Sequence, residues 1–130
     1  MAHHWLAIAA LGRGAPGEAL AAASAGALLT GRDPWSIADL ALAHAAVGEP
    51  VAAEAAREEL RGPARDGFVQ PTILAVAAVA TGRVDEAFYH LADAFETSDP
   101  PALMLRQFPS FDPLRGDRRF PALLREAGWR

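Results

Sequence analysis

Leu74-Ala75-Val76-Ala77-Ala78-Val79-Ala80-Thr81-Gly82-Arg83-Val84-Asp85-Glu86-Ala87-Phe88 is the last of three related stretches. Moved back by 34 residues, Leu74 falls on Leu40 and then on Leu6. In the same register Ala75 falls on Ala41 and Ala7, Ala77 on Ala43 and Ala9, Gly82 on Gly48 and Gly14, and Ala87 on Ala53 and Ala19. A 34-residue period with small residues at fixed places signals stacked helical hairpins, none of which buries its apolar face alone. The chain therefore reads as one all-α domain over residues 1–130, with repeats at about 1–31, 34–65 and 69–98 and a C-terminal cap over 99–130.

Within each copy the pattern predicts a helix A, a turn at the shared Gly and a helix B. The A helices are expected at 3–13, 34–47 and 69–81, the B helices at 16–29, 50–61 and 84–96. Asp33 before Pro34 and Asp99 before Pro100 pair an N-cap acceptor with a proline that needs no donor. Gly14, Gly48 and Gly82 stand where the chain reverses, and glycine tolerates the left-handed backbone of such turns. Only a methyl group fits where two helices cross closely, so Ala7, Ala41 and Ala75 should face Ala19, Ala53 and Ala87, with Leu6, Leu40 and Leu74 giving bulk beside them.

The period stops after Glu96. Residues 99–106 read as one further short helix, Phe108-Pro109-Ser110-Phe111-Asp112-Pro113 as a turn-rich connection, and Asp117 as the cap of a last amphipathic helix through Ala127, stopped by Gly128. Such a helix covers the face that a further repeat would otherwise bury.

Composition excludes several function classes. Sixteen acidic residues against twelve basic ones give a formal charge of −4, so the chain has no broad cationic footprint, and nucleic acid and anionic membranes are not expected partners. The absence of Cys excludes disulfides, thiolate metal sites and a Cys nucleophile. The apolar run 68–81 is interrupted by Gln70 and Pro71 and is too short to span a bilayer. No signal peptide is read, and cytoplasmic residence is the expectation. All basic residues are Arg, and with abundant Ala this composition suggests a bacterial, GC-rich coding sequence. The first copy lacks residues that would open its first helix, as the tail of a longer protein would.

The hairpin pattern, Leu then a small residue in helix A, Gly before the turn and Ala early in helix B, resembles the tetratricopeptide repeat. The third copy matches best. Asp112-Pro113-Leu114-Arg115-Gly116-Asp117-Arg118-Arg119-Phe120-Pro121-Ala122-Leu123-Leu124 is similar to the closing segment of tetratricopeptide regions in bacterial multidomain signalling and regulatory proteins. The resemblance implies a right-handed α-solenoid and protein interaction in general. Family repeats favour large residues where this chain has Ala10, His44 and Ala78, and an apolar residue where helix B of the second copy has Arg57.

In that family the A helices line the concave surface. The register then assigns a partner-binding groove to His4, Ile8, Leu11, Trp35, Ala38, Leu42, Ala45, Thr72, Val76 and Val79. This lining is mostly apolar and lacks the Lys, Arg and Asn array that clamps a peptide carboxylate. A partner protein or peptide, a second copy in a homodimer, or the chain's own tail could cover it.

Catalytic chemistry finds few footholds. His3 and His4 read as neighbours on an exposed terminus whose side chains diverge by about 100°. His44 reads as a packing residue between helices and His90 as lying on the outer side of helix B. No metal or cofactor site is expected, because no HExxH pairing or glycine-rich phosphate loop occurs, and Ser24, Ser36, Ser98 and Ser110 lie in no nucleophile elbow. Glu54, Glu58 and Glu59 among Arg57, Arg61 and Arg65 read as a solvated helix face. Arg115, Arg118, Arg119 and Arg125 form a basic patch expected to pair with Asp112 and Asp117. The expected function is a noncatalytic interaction scaffold. A small enzyme or hydrophobic-ligand-binding protein, with His4, Trp35 and His44 nearest the groove, is the alternative.

Overall fold

The structure, a computed structural model, describes residues 2–61, 69–96 and 109–126. Among them are seven α-helices, one 3₁₀ helix and no strand: α1 (Ala2–Gly12), α2 (Pro16–Thr30), α3 (Pro34–Ala46), α4 (Pro50–Arg61), α5 (Pro71–Ala80), α6 (Val84–Glu96), the 3₁₀ helix Pro109–Leu114, and α7 (Arg119–Glu126). The helix expected at 99–106, Phe108, Arg65 and the stop at Ala127 and Gly128 lie outside the described residues.

Local sequence accounts for the helix ends. Gly14, Gly48 and Gly82 take φ of 73°, 84° and 74°, the left-handed backbone expected of the three turns. The Asp33 carboxylate accepts the Ser36 backbone N–H at 3.1 Å, capping α3 ahead of Pro34. Burial pushes the Asp33 carboxyl up, but hydrogen bonds from Ser36 and Thr30 outweigh it and hold it below the ordinary value. Near the C-terminus the Asp117 carboxylate accepts the Arg119 backbone N–H at 2.9 Å.

Consecutive helices pair as hairpins, α1 with α2, α3 with α4 and α5 with α6, and α3 occupies the centre, packed also on α1, α2 and α5. The crossing alanines Ala7, Ala19, Ala41, Ala53, Ala75 and Ala87 are all buried, as the close approach of helices requires. One further close approach was not read from the sequence. A Cβ at Gly26 would lie 3.0 Å from the His3 Cβ, so this residue lets α2 run against the start of α1.

Bulky side chains are concentrated at the C-terminal end. Phe111, Leu114, Phe120 and Leu123 are buried, the 3₁₀ helix packs on α5 and α7 packs on α6. The connection expected to be turn-rich contains a 3₁₀ helix, which brings Phe111 and Leu114 inward three residues apart. Arg119 ties this end down by bonding Asp85 at 2.7 Å and Asp117 at 2.9 Å and by lying 4.4 Å from the Phe88 ring centroid. The Asp117 carboxyl is lowered to about 2, chiefly by its side-chain hydrogen bond from Arg119.

Candidate functional site

The ten residues assigned to a groove do not form one open surface. Leu11, Trp35, Leu42, Ala45 and Val79 are half-buried. His4, Ile8, Ala38, Thr72 and Val76 are buried and belong to the core, which corrects the expected lining. The buried positions on α1, α3 and α5 lie where α3 packs on both α1 and α5, so they serve contacts between these helices.

His4 departs furthest from expectation. It is 7% exposed instead of lying on an open terminus, and its Nδ1 lies 2.9 Å and 2.8 Å from the two carboxylate oxygens of Asp39, itself 3% exposed. Burial raises the Asp39 carboxyl above its ordinary value, against the opposing pull of the His4 hydrogen bond and charge. The imidazole also lies 5.0 Å from the Trp5 ring and 5.3 Å from Trp35, centroid to centroid. The arrangement clasps the first hairpin to the second. Asp39 was missed in the sequence, although a lone carboxylate within Ile37-Ala38-Asp39-Leu40-Ala41 on a core helix was the available signal.

A cleft of about 470 Å³ opens elsewhere, between α2 and α4 with α3 as its floor. Ser24, Ala27 and Leu28 form one wall, Ala52, Ala55, Ala56 and Glu59 the other, and Leu40 and His44 the floor. No residue assigned to the groove lines it. Leu40 and His44 each follow a groove position, Ala38 and Leu42, by two residues, hence by about 200° around α3. Arg32 closes one end, donating from Nε and Nη2 to Glu59 at 2.8 and 2.6 Å. The Glu59 hydrogen bond raises the Arg32 pKa, and Arg32 holds this position from a left-handed backbone, φ 64°. His44, expected between helices, is instead partly exposed on the cleft floor, with Nδ1 3.0 Å from Glu49 Oε1.

The repeat register explains why this cleft is open. Its equivalent 34 residues on, between α4 and α6, places Arg57 for Ala23, Glu58 for Ser24, Arg61 for Ala27, Glu86 for Ala52 and His90 for Ala56. There the Arg57 guanidinium is buried and bonds Glu54 at 2.8 Å, Glu58 at 2.9 Å and Glu86. Arg61 and His90 approach Glu86 at 3.5 and 3.6 Å. Burial would lower the Arg57 pKa, but Glu86 and Glu54 outweigh it and raise it. Glu86 is lowered because Arg57 outweighs the effect of its burial. His90 is half-buried and lowered by desolvation. Arg57 and Glu86 therefore plug the space between the helices, whereas Glu58 and Arg61 stay exposed on the solvated face expected from their charges.

Compared with known proteins, the chain matches no family model, no curated protein and no solved structure. No group of three or more metal-ligating side chains comes together among the described residues. No helix among them is long and apolar enough to cross a membrane.

Proposed function

We propose that this protein is a noncatalytic interaction module, a right-handed α-solenoid of three tetratricopeptide-like hairpins with a C-terminal cap, and that it takes an apolar segment of a partner protein into the α2–α4 cleft. One observation carries this reading: the repeat-related gap between α4 and α6 is filled by the chain's own Arg57 and Glu86, with Arg61 beside them, whereas Ala27 and Ala52, the equivalents of Arg61 and Glu86, line the open α2–α4 cleft. An alanine-walled cleft offers shape and apolar area with little chemistry, the property of a docking site for aliphatic or aromatic side chains. The Arg32–Glu59 pair at its end favours a segment whose polar flank lies there. The net charge of −4 fits a protein partner better than nucleic acid. Cytoplasmic residence and a bacterial source remain part of this reading.

The cleft is tested by transplanting the plug. Ala27→Arg combined with Ala52→Glu, the counterparts of Arg61 and Glu86, should abolish binding of an apolar fluorescent probe, anilinonaphthalene sulfonate, and of any co-purifying partner, while helical circular dichroism is kept. Binding that survives in a folded variant overturns the assignment. The alternative, an enzyme or hydrophobic-ligand-binding protein, draws on the His44–Glu49 pair at the cleft. A co-purifying molecule that wild type alters chemically and His44→Gln does not would favour it.

A further inference from the structure

His44, on the floor of the α2–α4 cleft, breaks the repeat. At its register position the other two copies place Ala10 and Ala78, both buried. Five residues on, where the second copy has Glu49, they place Ala15 and Arg83. Imidazole and carboxylate therefore occur together only in the copy that supplies the cleft floor. They join the last turn of α3 to the start of α4, with His44 Nδ1 3.0 Å from Glu49 Oε1. An ionised carboxylate only accepts, so Nδ1 carries a proton and donates it to Glu49. In the neutral ring the other nitrogen, Nε2, is then an acceptor, and Glu49 fixes that tautomer. Among the described residues the His44 ring bonds Glu49 alone, so the Nε2 lone pair is left to whatever enters the cleft.

The rest of the lining narrows the kind of group that fits. Leu40 lies beside His44 on the floor, and Ala27, Leu28, Ala52 and Ala56 offer apolar walls. Ser24, the other uncharged polar side chain of the cleft, is exposed, and its hydroxyl is served by water. An aliphatic side chain seated on the floor would cover Nε2 and give it no partner, which counts against it. A flat ring with one polar hydrogen at its tip meets both demands. About 470 Å³ is room enough for one such ring. We infer that the side chain docked in this cleft is an aromatic hydrogen-bond donor, tyrosine or tryptophan, whose O–H or N–H bonds His44 Nε2. This rests on the reading of the cleft as the docking site of a partner's apolar segment, and it names what that segment must present. His44 is then the specificity-determining residue, and Glu49 is the group that positions it.

Side-chain analogues test this on the full chain by nuclear magnetic resonance titration at about pH 8, where neutral imidazole prevails. The probes are p-cresol, which carries the phenol donor, and 4-methylanisole, the same ring with its donor methylated. Wild type should bind p-cresol about tenfold more tightly, and the His44 Nε2 resonance should move further with p-cresol than with 4-methylanisole. His44→Phe keeps a ring on the floor without an acceptor and should bind the two alike. Glu49→Ala leaves the cleft lining intact but releases the tautomer, and should weaken the preference. Equal affinities in wild type, or a full preference that survives either substitution, overturn the inference and leave the docking cleft standing. So does failure to bind p-cresol in a chain that binds anilinonaphthalene sulfonate. A chain that binds neither analogue nor that dye overturns the cleft reading and this inference with it.

Discussion

A carboxylate taken out of water costs several kcal/mol unless a partner of good geometry offsets it, and Asp39 is such a group, held between α3 and α1 by His4. His4→Ala leaves that carboxyl buried without its imidazole and should destabilise the fold by about 3–5 kcal/mol. His4→Leu with Asp39→Leu removes both polar groups and should recover most of the loss, as chemical denaturation of the single and double variants will show. The pH dependence has a definite sign. Because burial raises the folded Asp39 value, its contribution to stability is fully present below the ordinary carboxyl value of 3.8 and is lost as pH rises through the raised folded value. Melting temperatures of wild type relative to Asp39→Asn should therefore fall as pH rises above about 4. At this scale the sequence was least legible. His4 and Arg57 look like surface residues because their types are usually exposed, and only partners 35 and 29 positions away reveal otherwise.

Among the helices, α3 bears the heaviest demand, since it must accept neighbours on several sides. Small side chains at its crossings meet that demand. Ala41 and its equivalent Ala75 are fully buried, whereas Ala22 on α2 is only half-buried. Ala41→Leu and Ala75→Leu should each cost about 1–3 kcal/mol by overpacking, and Ala22→Leu less. Thermal melts giving equal losses at all three positions would contradict the crossing geometry. Helix boundaries were the most legible feature: α4 and α6 span the residues expected, and the others begin or end within two residues of expectation. Proline, glycine and cap residues act through the local backbone, so they can be read without knowing the tertiary fold.

For the molecule as a whole, burial is unevenly distributed. The repeats are rich in alanine, while the tail supplies Phe111, Leu114, Phe120 and Leu123 to the core. Phe111→Ala or Phe120→Ala should cost about 3–5 kcal/mol each. Removing everything after Glu96 should expose α5 and α6 and cause aggregation or loss of cooperative unfolding, read by light scattering and calorimetry. A truncated chain that melts as before would make the tail an appendage.

An all-helical chain, hairpin turns at Gly14, Gly48 and Gly82, buried alanine crossings and an apolar tail are all written in the order of the residues. These follow from backbone preferences and from a periodicity that repeats along the chain. Which side of α3 is open emerges from packing alone. The groove positions on α3 and the cleft floor at Leu40 and His44 lie about 200° apart on one helix, and periodicity alone marks both sides as apolar. What separates them is whether a neighbouring side chain fills the space. Arg57 and Glu86 fill it between α4 and α6, Ala27 and Ala52 line the open space between α2 and α4, and that difference depends on pairs brought together by packing.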